Sequence, residues 1–425
     1  MLDIQLIRQD PEAVKEAIAS LGTEAPIDEI VSLDLGRREI LQELESLRQE
    51  RNETSERIGR MEAGEERQTL IDSTSGLNER IKQLEADLRE NEEALKRAMY
   101  EVPNLPDPSV PVGADESENV VLREEGKPRE FGFEPLPHWD LGPRLGILDF
   151  ERGVKLSGSR FYVLKGAGAK LQRALIQWML DLHVAEHGYT EIYPPAIVKE
   201  QCMWGAGQLP KFADNIYRDA EDDLWLIGTA EIPLTNLHRD EILDAEDLPL
   251  SYVAHTPCFR REKFSGGRDV RGIKRGHQFD KVEMYKLTTP EDSYGALEQI
   301  VEHASAVCRA LEIPYRVVQM VTGDLGFTAA KKYDLEIWAP GSDEWLEVSS
   351  VSNTEAFQAR RTDIRFRREK GAKPEYVHTL NGSGLALPRT MIAVLENYQQ
   401  EDGSVKVPEV LRPWMGGLER VSAAM

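Results

Sequence analysis

Cysteine is scarce in this chain. Only Cys202, Cys258 and Cys308 occur among 425 residues, and no two stand at the C-x-x-C spacing of a thiolate metal site or redox motif. No structural zinc is expected, and the thiols read as reduced groups packed in or near a core. Long apolar runs are also lacking, since no stretch approaches the ~20 residues of a membrane span. The segment 1–12 interleaves Asp3, Arg8 and Asp10 with its apolar positions, which leaves no signal-peptide h-region. These absences predict a soluble cytoplasmic protein with no membrane partner. Basic charge is in deficit as well: 52 Lys and Arg stand against 75 Asp and Glu, a formal charge of −23. That excludes a protein that coats nucleic acid by bulk charge, so any polyanion must be met by local basic patches.

At 425 residues the chain is long enough for two or three domains. Hydrophobic residues make up 40% and charged ones 30%, enough for a substantial core but polar enough to predict one elongated or highly solvated part. That part is visible in residues 33–97, which contain no proline. Ile40, Leu44, Leu47, Arg51, Thr54, Ile58 and Met61 recur at alternating steps of four and three, the seam of a heptad. Leu70, Thr74, Leu77, Ile81, Leu84, Leu88, Asn91 and Leu95 form a second series, and the stretch 62–66 around Gly64 is short enough to make the two antiparallel. A helical hairpin over about 33–97 is predicted. At ~1.5 Å per residue its limbs reach roughly 45 Å, further than a domain needs to cover its own core. It should touch something outside the body, an oligomerisation coil being the plainer alternative.

Pro103, Pro106, Pro108 and Pro111 end the helical pattern. They divide the chain into an N-terminal domain over 1–102, a linker over 103–130 and a second domain over 131–425. In the last part, strand-like runs such as 224–227 and 252–254 mix with amphipathic helices such as 169–186. Strands and helices do not alternate regularly, which favours an α+β fold with an antiparallel sheet.

Lys165-Gly-Ala-Gly-Ala-Lys170 lacks the spacing and ending of a P-loop and reads as a tight turn before a helix. Cys258-Phe-Arg-Arg-Glu262 is strand-like at its start and leads into the Gly-rich loop 265–269, then Gly276-His-Gln-Phe-Asp-Lys-Val-Glu283. Residues 259–286 hold nine Lys or Arg and four Asp or Glu, a basic island in an acidic chain. Arginines on rigid strand positions suit phosphate oxygens, and an aromatic such as Phe279 can stack on a base. Any one of these alone would read as a solvated surface residue. In Glu344-Trp-Leu-Glu-Val-Ser-Ser350, alternation places Glu347 and Ser349 on one face, hard-oxygen donors suited to Mg²⁺ on a nucleotide. His378–Thr390 reads as a strand, the turn Asn381-Gly-Ser-Gly384 and a helix with Arg389 near its start.

Together these clusters resemble the three motifs of class II aminoacyl-tRNA synthetases, and most closely the bacterial-type seryl-tRNA synthetase family. The likeness runs from Met1-Leu-Asp-Ile through the hairpin, Gly207–Phe212, Gly228–Leu234, Phe259–Glu283, Phe357-Gln-Ala-Arg-Arg361 and Thr379–Gly384 to Glu409–Pro413, in the family's order. The resemblance implies an antiparallel-sheet class II catalytic domain with an N-terminal helical coiled-coil arm. It implies activation of L-serine by ATP to seryl-adenylate, then transfer to tRNA(Ser) and to tRNA(Sec). The catalytic residues so implied are Arg260, Glu262 and Arg389. The ATP ligands are Arg260, Arg261, Glu262, Phe279, Glu347, Val348, Ser349, Ser350 and Arg389, with Mg²⁺ on Glu347 and Ser350. The serine ligands are Thr229, Ala230, Glu231, Arg260, Glu283, Asn381 and Ser383. Arm arginines, among them Arg48, Arg51, Arg57, Arg60, Arg67, Arg80 and Arg89, would meet tRNA phosphates. Residues 169–195, ending in Tyr193-Pro-Pro195, resemble the first motif and imply a homodimer. Arg261, Lys263-Phe264 and Val351 depart from the family's usual residues without removing a named ligand. The alternatives are a catalytically inactive synthetase-like RNA-binding or regulatory paralogue, which should have lost such ligands, and a ligase charging carrier proteins, which should lack the hairpin.

Overall fold

The two heptad series fold as long helices. The structure is a computed structural model that describes residues 1–263 and 271–423, and the chain divides into two compact units, Met1–Ala19 with Thr23–Pro103 and Ser20–Gly22 with Asn104 onward. In the first unit, α1 (Ile4–Gln9) is capped by Asp3, which accepts from the Gln5 N–H at 2.9 Å. Pro11 starts α2 (Pro11–Ser20), where its missing donor costs nothing. The hairpin limbs are α3 (Ile27–Arg60) and α4 (Glu65–Glu101). Arg57 and Arg60 lie in the last turn of α3 and Glu65 and Glu66 in the first turn of α4, so each helix end carries the charge its dipole favours. Leu44, Ile81 and Leu84 are buried in the seam, flanked by Ile40, Leu47 and Leu88. Cross-limb ion pairs join Arg37 to Glu92 at 2.9 Å, Arg48 to Glu85 at 2.7 Å and Arg80 to Glu43 at 2.7 Å. At the base, Asp34 is 4% exposed and takes two hydrogen bonds from Arg8, which hold its carboxyl below the ordinary value.

The second unit is built on an eight-stranded sheet. In chain order its strands are β1 (Val120–Glu125), β2 (Thr190–Glu191), β3 (Leu250–Phe259), β4 (Gln278–Thr288), β5 (Tyr315–Gln319), β6 (Lys331–Ala339), β7 (Glu344–Asn353) and β8 (His378–Ala386). The spatial order is β1-β5-β6-β7-β8-β4-β3-β2, and every pairing is antiparallel except β2 with β3. Helices α5 (Ala167–Ala185), α7 (Ser293–Ala310) and α9 (Leu387–Tyr398) supply Leu175, Met179, Ile300 and Leu395 to one core with Val282, Met284 and Leu335 of the sheet. Two shorter helices, α6 (Glu231–Thr235) and α8 (Phe357–Thr362), lie near the site.

The α+β reading with an antiparallel sheet holds; of the segment 165–170 only Lys165 and Gly166, at a φ of +52°, form the turn, and residues 167–170 are already the first turn of α5. One difference concerns the segment read as linker: residues 120–125 form the edge strand β1. Val120, Val121 and Leu122 remain exposed there, so no in–out alternation marked it. The Gly-rich loop 265–269 and Phe264 lie outside the described residues. Cys202, Cys258 and Cys308 are free thiols, the last two buried. No helix among the described residues is long and apolar enough to cross a membrane.

Candidate active site

Alternation along β4 puts Phe279, Lys281 and Glu283 on one face, and pairing with β8 brings Ser383 opposite Glu283. The ends of β3 and α6, the middle of β7 and the start of α9 meet there, around a cleft of about 430 Å³. Its lining includes Thr229, Glu231, Arg260, Glu262, Phe279, Glu283's neighbour Lys281, Glu347, Val348, Ser350, Asn381, Ser383 and Arg389.

One end is a buried set of carboxylates. Glu283 is fully buried and accepts from the Asn381 amide at 3.4 Å and the Ser383 hydroxyl at 3.5 Å, while Lys281 pairs with it at 2.5 Å. Glu231 is 9% exposed and accepts from the Gln358 amide at 2.6 Å. Burial, followed by the charge of Glu283, pushes the Glu231 carboxyl up to about 7. Thr229 accepts from the Glu231 backbone N–H at 3.2 Å, which fixes the start of α6. Gln358 is itself held through its amide oxygen, which accepts from Thr379 at 2.8 Å and Tyr285 at 3.1 Å. A Glu283–Lys281 pair with a second buried carboxylate, Glu231, near enough to feel both charges suits a small zwitterion with a hydroxyl.

The other end is cationic. Arg260 donates to the Gly228 carbonyl at 3.2 Å and lies over the Phe279 ring at 5.3 Å, leaving guanidinium donors toward the cleft. Glu262 has a φ of +48° and pairs with Arg275 at 3.6 Å. Arg389 donates to the Glu347 carbonyl at 2.6 Å and pairs with its carboxylate at 3.2 Å. Burial pushes the Glu347 carboxyl up, but Arg389 and Lys332 outweigh it and leave it below the ordinary value. Hard-oxygen donors for a divalent cation are grouped here. They are Glu347, Ser350 and, across the strand pair from Ser350, Asp334, whose buried Oδ1 has no hydrogen-bond partner among the described residues. Burial and then the charge of Glu347 raise the Asp334 carboxyl to about 7, so a cation there would relieve both groups. Among the described residues no three His, Cys, Asp or Glu side chains are grouped to hold a metal ion.

Three of the expected ligands point elsewhere. Ala230 is fully buried in an apolar cluster with Leu234 and Tyr285. Arg261 donates to the Ile216 carbonyl at 2.9 Å and stacks on Tyr217 at 4.7 Å, away from the cleft lining. Ser349 is buried and donates to the Ser383 carbonyl at 2.7 Å. Strict alternation fails in β7 because a bulge falls between Glu347 and Ser349: these residues pair with Glu336 and Leu335 and leave Val348 unmatched. The parity flips, and Glu347 shares the cleft with Ser350 instead. Lys274, Arg275, Lys281 and Lys332 also line the cleft, with Asp334 and Gln358 behind it, beyond the ligands the sequence predicts. Lys281 is legible, being in phase with Phe279 and Glu283, and Gln358 stands in the run Phe357-Gln-Ala-Arg-Arg361, although nothing local points it at Glu231; Asp334 gives no local signal.

A family model described as "tRNA synthetase class II core domain (G, H, P, S and T)" matches residues 212–398, and one described as "Seryl-tRNA synthetase N-terminal domain" matches residues 1–106. A serine–tRNA ligase of Roseiflexus sp. (strain RS-1) is 62% identical over 420 residues, covering 99% of each chain. That of Chloroflexus aurantiacus (strain J-10-fl) is 58% identical over 422 residues, covering 99% of this chain and all of its own. Among solved structures, the seryl-tRNA synthetase of Pyrococcus horikoshii complexed with ATP superposes with a TM-score of 0.94 at 41% identity, covering 100% of both chains. The cytoplasmic enzyme of Naegleria fowleri in complex with AMP gives 0.88 at 32%, covering 100% of this chain and 99% of its own. The inactive-paralogue alternative finds no support, since Arg260, Glu262, Glu347 and Arg389 all stand at one cleft. With family models matching residues 1–106 and 212–398 and the likeness to serine–tRNA ligases running end to end, this chain belongs to the seryl-tRNA synthetase family.

Proposed function

We propose that the chain joins L-serine to tRNA(Ser) in two steps, in the cytoplasm. A serine carboxylate oxygen attacks the α-phosphorus of ATP, forming seryl-adenylate and releasing pyrophosphate. A terminal ribose hydroxyl of the tRNA then attacks the seryl carbonyl and AMP leaves. The observation that carries this reading is the cleft's division into a buried carboxylate end and a cationic end, with Arg260 of the cationic end near enough for its charge to act on both Glu231 and Glu347. Arg260 would grip the serine carboxylate and the α-phosphate together, fixing attack geometry and neutralising developing charge. Glu231 and Thr229 would take the serine ammonium, and Glu283, Asn381 and Ser383 its hydroxyl. Phe279 would stack on adenine while Glu262 meets the adenine amino group. Mg²⁺, held by Glu347 and Ser350, would screen the charge of the departing pyrophosphate. Arg389 would turn from Glu347 to the terminal phosphates.

The N-terminal domain, 1–102, would take the tRNA, and the part from 131 the chemistry. By resemblance to the family, tRNA(Sec) belongs to the same reading. Pyrophosphate exchange with each of the twenty amino acids tests the assignment: serine should support exchange, and alanine, which leaves Glu283 and Ser383 without their hydroxyl partner, should trail by roughly 10⁴. Exchange with another amino acid and not with serine would overturn it.

A further inference from the structure

Beyond the cleft lies a buried pair that none of the assigned roles uses. His138 opens the short helix His138–Arg144 and Glu396 lies in the last turn of α9, with side chains 1% and 0% exposed. The Glu396 carboxylate is fully engaged. Its Oε1 accepts from the His138 backbone N–H at 2.9 Å, from His138 Nδ1 at 2.9 Å and from the Ser342 hydroxyl at 2.8 Å. Its Oε2 accepts from the backbone N–H groups of Gly341 at 3.0 Å and Ser342 at 2.9 Å. The other ring nitrogen, Nε2, faces the Ile273 backbone N–H at 3.2 Å. A backbone N–H can only donate, so Nε2 is the acceptor and Nδ1 carries the proton given to Glu396. Gly272 has a φ of +72°, and a Cβ there would stand 1.9 Å from Nε2, so the chain at 272–273 is seated directly on the imidazole.

What this pair joins is informative. Ile273 immediately precedes Lys274, Arg275 and Gly276, which line the cleft, and Lys274 pairs with Glu344 at 2.7 Å. The Gly341–Ser342 turn connects β6 to β7, the strands that carry Asp334, Glu347 and Ser350. Arg389 stands at the opposite end of Glu396's own helix. One buried carboxylate thus ties together three of the elements that deliver phosphate-facing groups. We propose that His138 is a positioning residue for ATP: anchored by Glu396, it accepts from the Ile273 N–H and fixes the stretch that presents Lys274 and Arg275 to the nucleotide. The proposal rests on the reading that the cationic end of the cleft takes ATP.

Two substitutions separate anchor from scaffold. In His138→Asn the side-chain amide keeps the donor to Glu396 and loses the acceptor for Ile273; in His138→Gln the longer amide reaches the Nε2 position and restores an acceptor. H138N is expected to raise the KM for ATP about tenfold with serine KM and kcat nearly unchanged, while H138Q stays within about threefold of wild type. Hydrogen exchange followed by NMR or mass spectrometry should find the Ile273 amide strongly protected in the wild type and at least about tenfold faster in H138N. An unprotected Ile273 amide in the wild type overturns the anchor, whether or not the variants fold. Fast exchange in H138N with an unchanged ATP KM, or equal loss of kcat in both variants without a KM split, overturns its role in nucleotide binding. The exchange readout needs no substrate. A failed ligase reading would therefore appear as an inactive wild type with Ile273 still protected, which removes the nucleotide half of the proposal alone.

Discussion

Arg260 is the residue on which both halves of the cleft depend. Its guanidinium is set by the Gly228 carbonyl and the Phe279 ring before any ligand arrives, so its charge needs little reorganisation during reaction. Arg260→Ala is expected to lower kcat of serine-dependent pyrophosphate exchange about a hundredfold or more, and near-normal exchange would show that the reacting phosphate lies elsewhere. Glu231 yields a prediction in pH. Its carboxyl, raised to about 7 by burial and then by Glu283, is protonated over much of the acidic range and, on the proposed reading, would have to ionise to pair with the serine ammonium. Serine kcat/KM should therefore rise with pH to a plateau above about 7, falling roughly tenfold per unit below it. Glu231→Gln should remove that rise; a rise that persists assigns it to another group. For the fold the sign is opposite. The raised value contributes stability that is fully present below the unfolded pKa and is lost as pH climbs through about 7.

At the scale of elements, legibility in the sequence tracked how local the signal was. The heptads of α3 and α4 are one-dimensional patterns and gave both limbs and the turn. The strand phases of 279, 281 and 283 are equally readable. What cannot be read depends on pairing between distant strands, namely the bulge at Val348 that turns Ser349 inward and Asp334 behind Ser350, or on a distant contact, as with Gln358 of α8, whose run is legible but whose hold on Glu231 is not. The edge strand β1 carries no such signal because it buries no apolar face. The helical arm also separates cleanly by its internal packing, with its own seam and its own cross-limb pairs. Deleting residues 35–97 and closing the gap with a short Gly-Ser linker should spare pyrophosphate exchange and abolish efficient charging of tRNA. Unchanged kcat/KM for tRNA in that variant would make the arm purely structural.

For the whole molecule, two features bear on assembly. Val184 on α5, and Tyr193 and Ile197 beyond it, are exposed apolar side chains, Tyr193 at 93%. A second copy is the partner we expect for this surface, so sedimentation at micromolar concentration should give twice 48.0 kDa. A species of 48.0 kDa would refute that. The second feature is charge: the chain carries −23, and residues 1–100 hold 14 basic against 24 acidic residues. Arg37, Arg48 and Arg80 are already paired with Glu92, Glu85 and Glu43 across the limbs. An RNA phosphate that engages these arginines must displace a carboxylate, so each such contact is a swap of anions with little net counterion release. Replacing Glu43, Glu85 and Glu92 by Gln should tighten tRNA binding and steepen its logarithmic salt dependence by about 1 to 3. A slope that does not move would mean that the RNA bypasses these arginines. If tRNA engages these arginines, the arm's carboxylates would act as tethered competitors: an RNA offering one or two phosphates at a time would gain little, and an RNA shaped to present several together would be favoured.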